Sequence, residues 1–575
     1  MLTDDEIPPT SISREWPIAS GSPPLCSIHP STSGLMTIAL VAMPLPAARP
    51  KRPNAPRPPL AWAALESGRA AISRIDVEIG EVFDLAKPEE NNFLGRLADH
   101  LHMSTKERVV RRVLLFKEGD PVRTRQIYET ERLLRALPFV KDAHIDPVVQ
   151  PDGTVVARVR VRDAWTTQIN AGFSSVGGQK AMNFGLDEMN FLGLGKSLSF
   201  DTAKDHQRST WGITYKDPQL LGSRWTLAAQ DQVLSDGMAR NFSLARPFYA
   251  LNTPWSTTLA MGQKHTSLYL YDRGAQVYQA PFISDQVQWS GAVAFHEKAD
   301  RIWRGGVLLD REDTHYGSLI RNGPPGGLLP PDLPNRRLRG PALTLSTEKD
   351  AFESFTDLMG METPEDYNLA WNGSLQVGTY TRALGSSMAA PFFMLQAANG
   401  WSSSSDDLTL FTSSFSGRDP ASGLENAQAN LALVQYQKLE PNQILAGIAT
   451  LDVGKRLDPE NWFYLGGDQG LRGFPDELHP GNVRWQVSVD YRLLTEQRWW
   501  DIVRMGYNAF LDVGSIRQFD GQGWSKPYSD VGVGLRMGNL KSSLGRVILV
   551  SLAAPLNREP YQSRFQFTIG NTTRF

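Results

Sequence analysis

The residues of this chain best suited to chemistry are an arginine set among glycines and an aspartate forty residues further on. The stretch GGDQGLRGF, residues 466–474, holds Gly466, Gly467, Gly470 and Gly473 around Arg472. A glycine-rich turn with a cation can cradle phosphate, but a phosphate loop needs G-x-x-x-x-G-K-[ST] feeding a helix. Here no Lys-Ser or Lys-Thr follows, and the next residues, NVRWQVSVDYRLL, alternate strictly. Val483, Trp485, Val487, Val489, Tyr491 and Leu493 are apolar; Arg484, Gln486, Ser488, Asp490 and Arg492 lie between them. Period two means a strand with one apolar and one polar face. No helix N-terminus follows to hold an anion. An ordinary glycine-rich hairpin loop is the plain alternative.

A second chemistry fits the same residues. In NAFLDVG, Ala509, Leu511 and Val513 share one face of a strand, and Asp512 takes the other. If the apolar face meets lipid, Asp512 points into an enclosed lumen, where an unpaired carboxylate is costly to desolvate. Arg472 can answer it with a planar, two-pronged guanidinium if the loop folds back inside. The four glycines let that loop turn tightly and approach the wall, and Phe474 can pack on the inner surface. The competing reading is a rim salt bridge worth about 0–1 kcal/mol.

Other polar clusters carry less. His100 and His102 fit a surface or packing role better than metal binding. His296 and Glu297 lack the second histidine of H-E-x-x-H, and no G-x-S-x-G stretch occurs. LPPDLPNRRLRG, residues 329–340, reads as a solvated basic loop. The expectation is a protein that is not an enzyme and uses no cofactor or metal. A net charge of −2 supplies no bulk field for nucleic acid, so no nucleic-acid partner is expected. The one cysteine, Cys26, excludes an internal disulfide and a thiolate metal site.

Three zones must position these residues. Residues 1–70 read as a signal segment and Pro-rich linker: GLMTIALVAMPLPAA has the apolar run and small-residue end of a secretory signal, although no Lys or Arg lies between Arg14 and Arg49. RPKRPNAPRPPL then reads as an extended linker. Residues 71–163 read as a small α+β domain of order β-α-α-β-β. Its first helix begins at a Ser104/Glu107 capping box, its second ends at Pro138, and the turn 151–153 joins its last two strands. Residues 164–575 show short alternating segments and no long helix. At about 25 residues per strand and loop they give about sixteen strands, within the range of outer-membrane barrels. Charges on the polar faces suit a wet lumen. The chain ends RFQFTIGNTTRF, with a terminal Phe575.

With a barrel as context, GGDQGLRGF resembles the sixth-loop signature of the outer-membrane assembly-factor superfamily, the BamA/TamA-like proteins with POTRA domains and a surface-antigen-type barrel. FLDVG, Phe510 to Gly514, is similar to that family's F-x-D-x-G strand motif. LLFKEGDPV and ETERLLRALPFV resemble a POTRA domain, and Phe575 resembles the terminal aromatic of the barrel-assembly signal. The resemblance implies a mainly β fold, with one POTRA-like domain in the periplasm ahead of a transmembrane antiparallel barrel in the outer membrane. It implies a protein insertion or translocation factor whose partners are outer-membrane lipid and unfolded outer-membrane or secreted clients, with accessory lipoproteins in some relatives. It assigns a loop-six tether to Arg472, Gly473, Phe474 and Asp512, supported by Gly466, Gly467, Gly470, Phe510 and Gly514. Three alternatives stay open: a two-partner-secretion-type transporter, a passive porin-like channel, and a soluble β-rich enzyme.

Overall fold

The computed structural model describes residues 59–83, 103–176, 179–298, 300–323, 328–519, 521, 523–542, 547–559 and 562–572. The apolar run of the signal-like segment, the histidines at 100 and 102 and the terminal Phe575 lie outside them.

The N-terminal unit comprises α1 (Pro59–Ser67), β1 (Ile72–Gly80), α2 (Glu107–Arg111), α3 (Thr124–Arg135), β2 (Val140–Val149) and β3 (Val155–Asp163). The sheet runs β1-β3-β2, with β1 parallel and β2 antiparallel to β3. Alternation explains it: Val155, Ala157, Val159 and Val161 are buried, while Arg158, Arg160 and Arg162 face out. Helix α3 closes the core with Ile127 and Leu134, seven residues apart on one face. Helix α1 falls inside the stretch read as linker. Its Trp62 packs in this core and donates Nε1–H to the Ile145 carbonyl at 2.9 Å. The capping box does not form. Ser104 Oγ instead bonds Glu81, and Asp163 in the sheet accepts the Thr105 N–H at 2.8 Å, so α2 is pinned from outside its own sequence.

The remaining strands close a barrel. It has twenty full strands among the described residues, not sixteen, with two short strands, Ile320–Arg321 and Phe463–Leu465, attached to the ladder. The expected number was too low because several connections are two-residue turns, at 235–236, 273–274 and 441–442. The repeat is therefore about 21 residues, not 25. At Arg273 and Gly274 φ is +55° and +73°, the left-handed pair that continues the right-handed twist of the flanking strands. A strand was also missed: LPPDLPNRRLRG does not stay a loop, because Arg336 opens the strand Arg336–Lys349.

Sidedness is inverted relative to a soluble protein. Val487, Val489, Tyr491, Tyr507 and Leu511 are exposed, and Gln486, Ser488, Asp490, Arg492, Asn508 and Asp512 are buried. Exposed Trp211, Trp255, Trp289, Trp371, Trp401 and Trp499 add the aromatic surface that suits a membrane interface. No helix among the described residues is long and apolar enough to cross a membrane; here strands make the crossing.

Two segments fill the lumen. One is the loop 456–478. The other enters from the opposite end: the hairpin Phe352–Thr356/Pro364–Asn368, between strands Arg336–Lys349 and Asn372–Tyr380. Its Phe355, Leu358 and Met361 form a core with the inward residues Leu408, Tyr436, Ile444, Leu494 and Val547. Buried Arg492 and Arg536 donate to the Leu358 and Met359 carbonyls. Periodicity could not reveal it, because five-residue strands carry too little alternation.

The N-terminal unit docks on that same end. Helix α3 presents Arg132 to Asp350 at 2.8 Å and Arg135 to Asp366 at 2.8 Å, and Lys141 on β2 donates to Thr363 Oγ1 at 2.7 Å. Glu129 accepts the Leu251 N–H at 2.7 Å. The hairpin is thus held between the barrel wall and the N-terminal unit. Replacing Arg135 by Ala should weaken the docking by about 1.5–3 kcal/mol, the range for a hydrogen bond to a charged group. Hydrogen exchange of the 350–371 amides should accelerate while heat-modifiable gel mobility persists. Unchanged exchange would mean that the hairpin is held by the barrel alone.

Candidate functional site in the barrel lumen

The candidate site is where the loop 456–478 meets the strands His479–Trp499, Val503–Gln518 and Tyr528–Asn539. Its shape follows from the glycines. Gly470 has φ +127°, a conformation that disfavours any side chain. At Gly473 a Cβ would stand 2.5 Å from Asp530 Cβ, so the backbone can lie against the wall only without one.

Arg472 then reaches Asp512. Its Nε and Nη2 donate to the two carboxylate oxygens at 2.8 Å each, a bidentate fork. Its Nη1 reaches Asp490 at 3.3 Å, and its own backbone N–H also points to Asp512 at 3.3 Å. The guanidinium carbon stacks 3.5 Å from the ring centroid of Phe510, a cation–π contact in a dry setting. Asp512 is fully buried. Phe474, also fully buried, packs with Leu465, Leu471, Leu478 and Ile516 and meets the Tyr528 ring edge-on at 5.1 Å. At Gly514 a Cβ would stand 3.0 Å from the Trp485 carbonyl and 3.2 Å from Leu465 Cδ1, which lets the short strand Phe463–Leu465 lie close. Gly466 and Gly467 come similarly close to the Pro475 and Phe474 carbonyls, at 2.6 and 2.5 Å for a would-be Cβ. The structure thus brings together the loop and strand residues singled out from sequence; Phe575 lies outside the described residues.

Sequence reasoning missed other members. Asp530 lies opposite Asp512 in the ladder and is fully buried, so three aspartates, at 490, 512 and 530, surround one arginine. Arg484 spans from Asp452, at 2.7 Å, to the Gln469 side chain at 3.0 Å and the Tyr464 carbonyl. The start of the loop has an anchor of its own on another part of the wall. Asp458 takes a bidentate fork from Arg418 at 2.8 and 2.7 Å, and Glu460 pairs with Arg336. Arg336, read from sequence as solvated, is 2% exposed. Its alternation with Leu338 into PALTLST was the available signal. At the loop's end Glu477 accepts from His206 at 2.9 Å and Gln207 at 2.8 Å, in the turn 205–208. The loop is therefore strung across the lumen between separate arcs of the wall.

A cavity of about 280 Å³ lies inside, lined by Gln286, Asp310, Tyr380, Arg418, Asp458 and Glu460 among others. No group of His, Cys, Asp and Glu that could hold a metal ion occurs among the described residues.

Residues 400–573 match the family described as the Omp85 superfamily domain, a span that takes in Arg472, its loop and Asp512. This part of the chain belongs to the Omp85 superfamily. The chain is accordingly a β-barrel of the outer membrane. Among solved structures it is similar to BamA from Haemophilus ducreyi lacking POTRA domains 1–3, at 11% identity and a TM-score of 0.36, covering 87% of this chain and 84% of that one. It is similar to CdiB from Escherichia coli at 13% identity and a TM-score of 0.42, covering 87% and 76%. CdiB from Acinetobacter baumannii follows at 12% and 0.40, covering 87% and 74%. No curated protein matches the chain.

If Arg472 and Asp512 act as one unit in this Omp85 domain, their losses should not add. A double-mutant cycle on unfolding of the purified barrel should give a coupling of about 1–3 kcal/mol for Arg472→Ala with Asp512→Ala. Arg472→Lys should recover only part, since an ammonium cannot make the fork. Additive losses would mean that the two residues serve separate purposes.

Proposed function

We propose that this chain is an outer-membrane protein assembly, insertion or translocation factor of BamA/TamA type, acting without a cofactor. The observation that carries the reading is the Arg472–Asp512 fork, which holds the loop 456–478 inside a barrel whose matching segment belongs to the Omp85 superfamily. In this reading residues 71–163 are a POTRA-like, periplasmic, client-receiving domain. Among the described residues, β1 and β2 are the edges of their sheet and can add a client strand through backbone hydrogen bonds. Client proteins and outer-membrane lipid are the partners, and accessory lipoproteins a further class.

The barrel would act at its closing seam. The first strand, β4 (Thr167–Val176), pairs with the last, Gln566–Thr572, through Phe173–Ile569, Ser174–Thr568 and Ser175–Phe567 alone among the described residues. By contrast, β4 pairs along its whole length with Gln179–Phe191. A short ladder is the cheapest place to part the wall and template a client strand. A passive channel is disfavoured by a lumen occupied from both ends. A second reading, passage of a client through the lumen as in a two-partner-secretion-type transporter, draws support from the hairpin 352–368. A plug opposite the loop would close such a path until cargo displaced it.

A disulfide across the seam separates the two. With Ser174→Cys and Thr568→Cys oxidised in a Cys26→Ser background, strand insertion should stop, while transport through the lumen should continue. Complementation with and without reductant reads the difference. Full activity of the stapled protein would remove the seam from the mechanism. Deleting residues 72–163 should abolish client delivery and leave a heat-modifiable barrel; a truncated chain that keeps full activity would end the client-receiving role.

A further inference from the structure

Two turns lie side by side on the rim that meets the N-terminal unit. One, 218–225, follows the strand Ser209–Asp217; the other, 247–254, follows Gly237–Arg246. Between them four side chains form a row of alternating type. The Arg224 guanidinium lies 4.4 Å from the Tyr249 ring centroid, Arg246 lies 5.6 Å from the same ring, and Arg246 lies 3.9 Å from the Trp255 ring. Trp225 meets Trp255 edge-on at 6.5 Å.

The row faces the membrane. Arg246 is ladder partner to Thr257, two residues from Trp255 and four from Met261 on the same face, and both of those are exposed. Phe242, four residues before Arg246, is exposed on the same face. At the tip of the neighbouring turn Leu221 is 97% exposed, an apolar side chain with nothing of this protein over it. Tryptophan and tyrosine at such a rim sit at headgroup depth.

The charges here are unbalanced. The hydrogen bonds that Arg224 and Arg246 make go to backbone carbonyls, of Leu114 and Trp255, and neither forms a salt bridge among the described residues. Burial lowers the Arg224 pKa, and the neighbouring Arg246 pushes the same way. Two guanidiniums are thus brought together on one aromatic ring, at the level of lipid headgroups, with no carboxylate paired to either among the described residues. A guanidinium held over a ring face keeps in-plane N–H groups able to take a second partner.

We propose that Arg224 and Arg246, framed by Tyr249, Trp255 and Trp225, bind the phosphate of an anionic phospholipid in the leaflet on the side of the N-terminal unit. Guanidinium N–H groups match phosphate oxygens in pairs, and Leu221 and Trp255 meet the acyl region beside it. Arg224 also donates to the Leu114 carbonyl at 3.1 Å, so a lipid held there sits against the joint between the N-terminal unit and the barrel. The site does not depend on which client the protein handles.

The test uses the full chain reconstituted in nanodiscs of phosphatidylethanolamine with phosphatidylglycerol, followed by native mass spectrometry of retained lipid. The wild type should keep phosphatidylglycerol in preference to phosphatidylethanolamine. Arg224→Gln with Arg246→Gln should lower that retention about thirtyfold, the scale of two basic groups at a membrane surface. The double change to Lys should recover part of it, and heat-modifiable mobility should be the same in all three proteins. Equal retention by the glutamine variant overturns the proposal. So does equal retention of the two lipids by the wild type, since recognition would then not be of charge. Displacement of the lipid by millimolar inorganic phosphate would assign the site to a soluble anion and overturn the lipid source.

Discussion

A charge that points into an enclosed barrel has to be neutralised from within, and much of this structure follows from that requirement. Asp512, Asp490 and Arg492 face inward because their strand neighbours face lipid. Once buried, each needs a partner that water no longer supplies. Two polypeptide segments enter the lumen and provide them. The loop brings Arg472 to the aspartates, and the hairpin from the other end brings backbone carbonyls to Arg492 and Arg536. The fillers and the wall are therefore one electrostatic system. Losing a partner on either side leaves a buried ion, which costs more than the contact itself is worth.

Each filler meets the wall in two ways, through charged or polar groups at the buried ions and through apolar side chains beside them. Phe474 packs among leucines beside the fork, and Leu358 and Met361 pack on Tyr436 and Ile444 beside Arg492. Hydrophobic contact gives each segment its adhesion; the forks give it one position and one orientation.

How much of this was readable in the sequence depended on the range over which the signal acts. Strict alternation in NVRWQVSVDYRLL and NAFLDVG assigns strands and sides directly, because period two is a local property. It also turns Asp512 inward, while the glycines around Arg472 mark the loop that can reach it. The strand number was not readable, because it rests on loop lengths, and two-residue turns such as Arg273–Gly274 are shorter than the average spacing assumed. The hairpin 352–368 was missed for want of periodicity, and Arg336 was misread because prolines and arginines together look solvated. Its true environment is set by Glu460, more than a hundred residues away, and no local pattern encodes that pairing.

The loop 456–478 has a mechanical consequence. Its ties at Arg336, Arg418, Arg484, Asp512 and His206 make it a chord drawn across a hoop. A chord fixes the separation of the arcs it joins, so those arcs cannot flatten or spread independently. None of these ties lies on β4 or on the last strand. The hoop is thus braced around most of its circumference and compliant over the short arc that holds its seam. Any load applied to the wall, from a thinned bilayer or an arriving chain, is concentrated where the ladder is shortest.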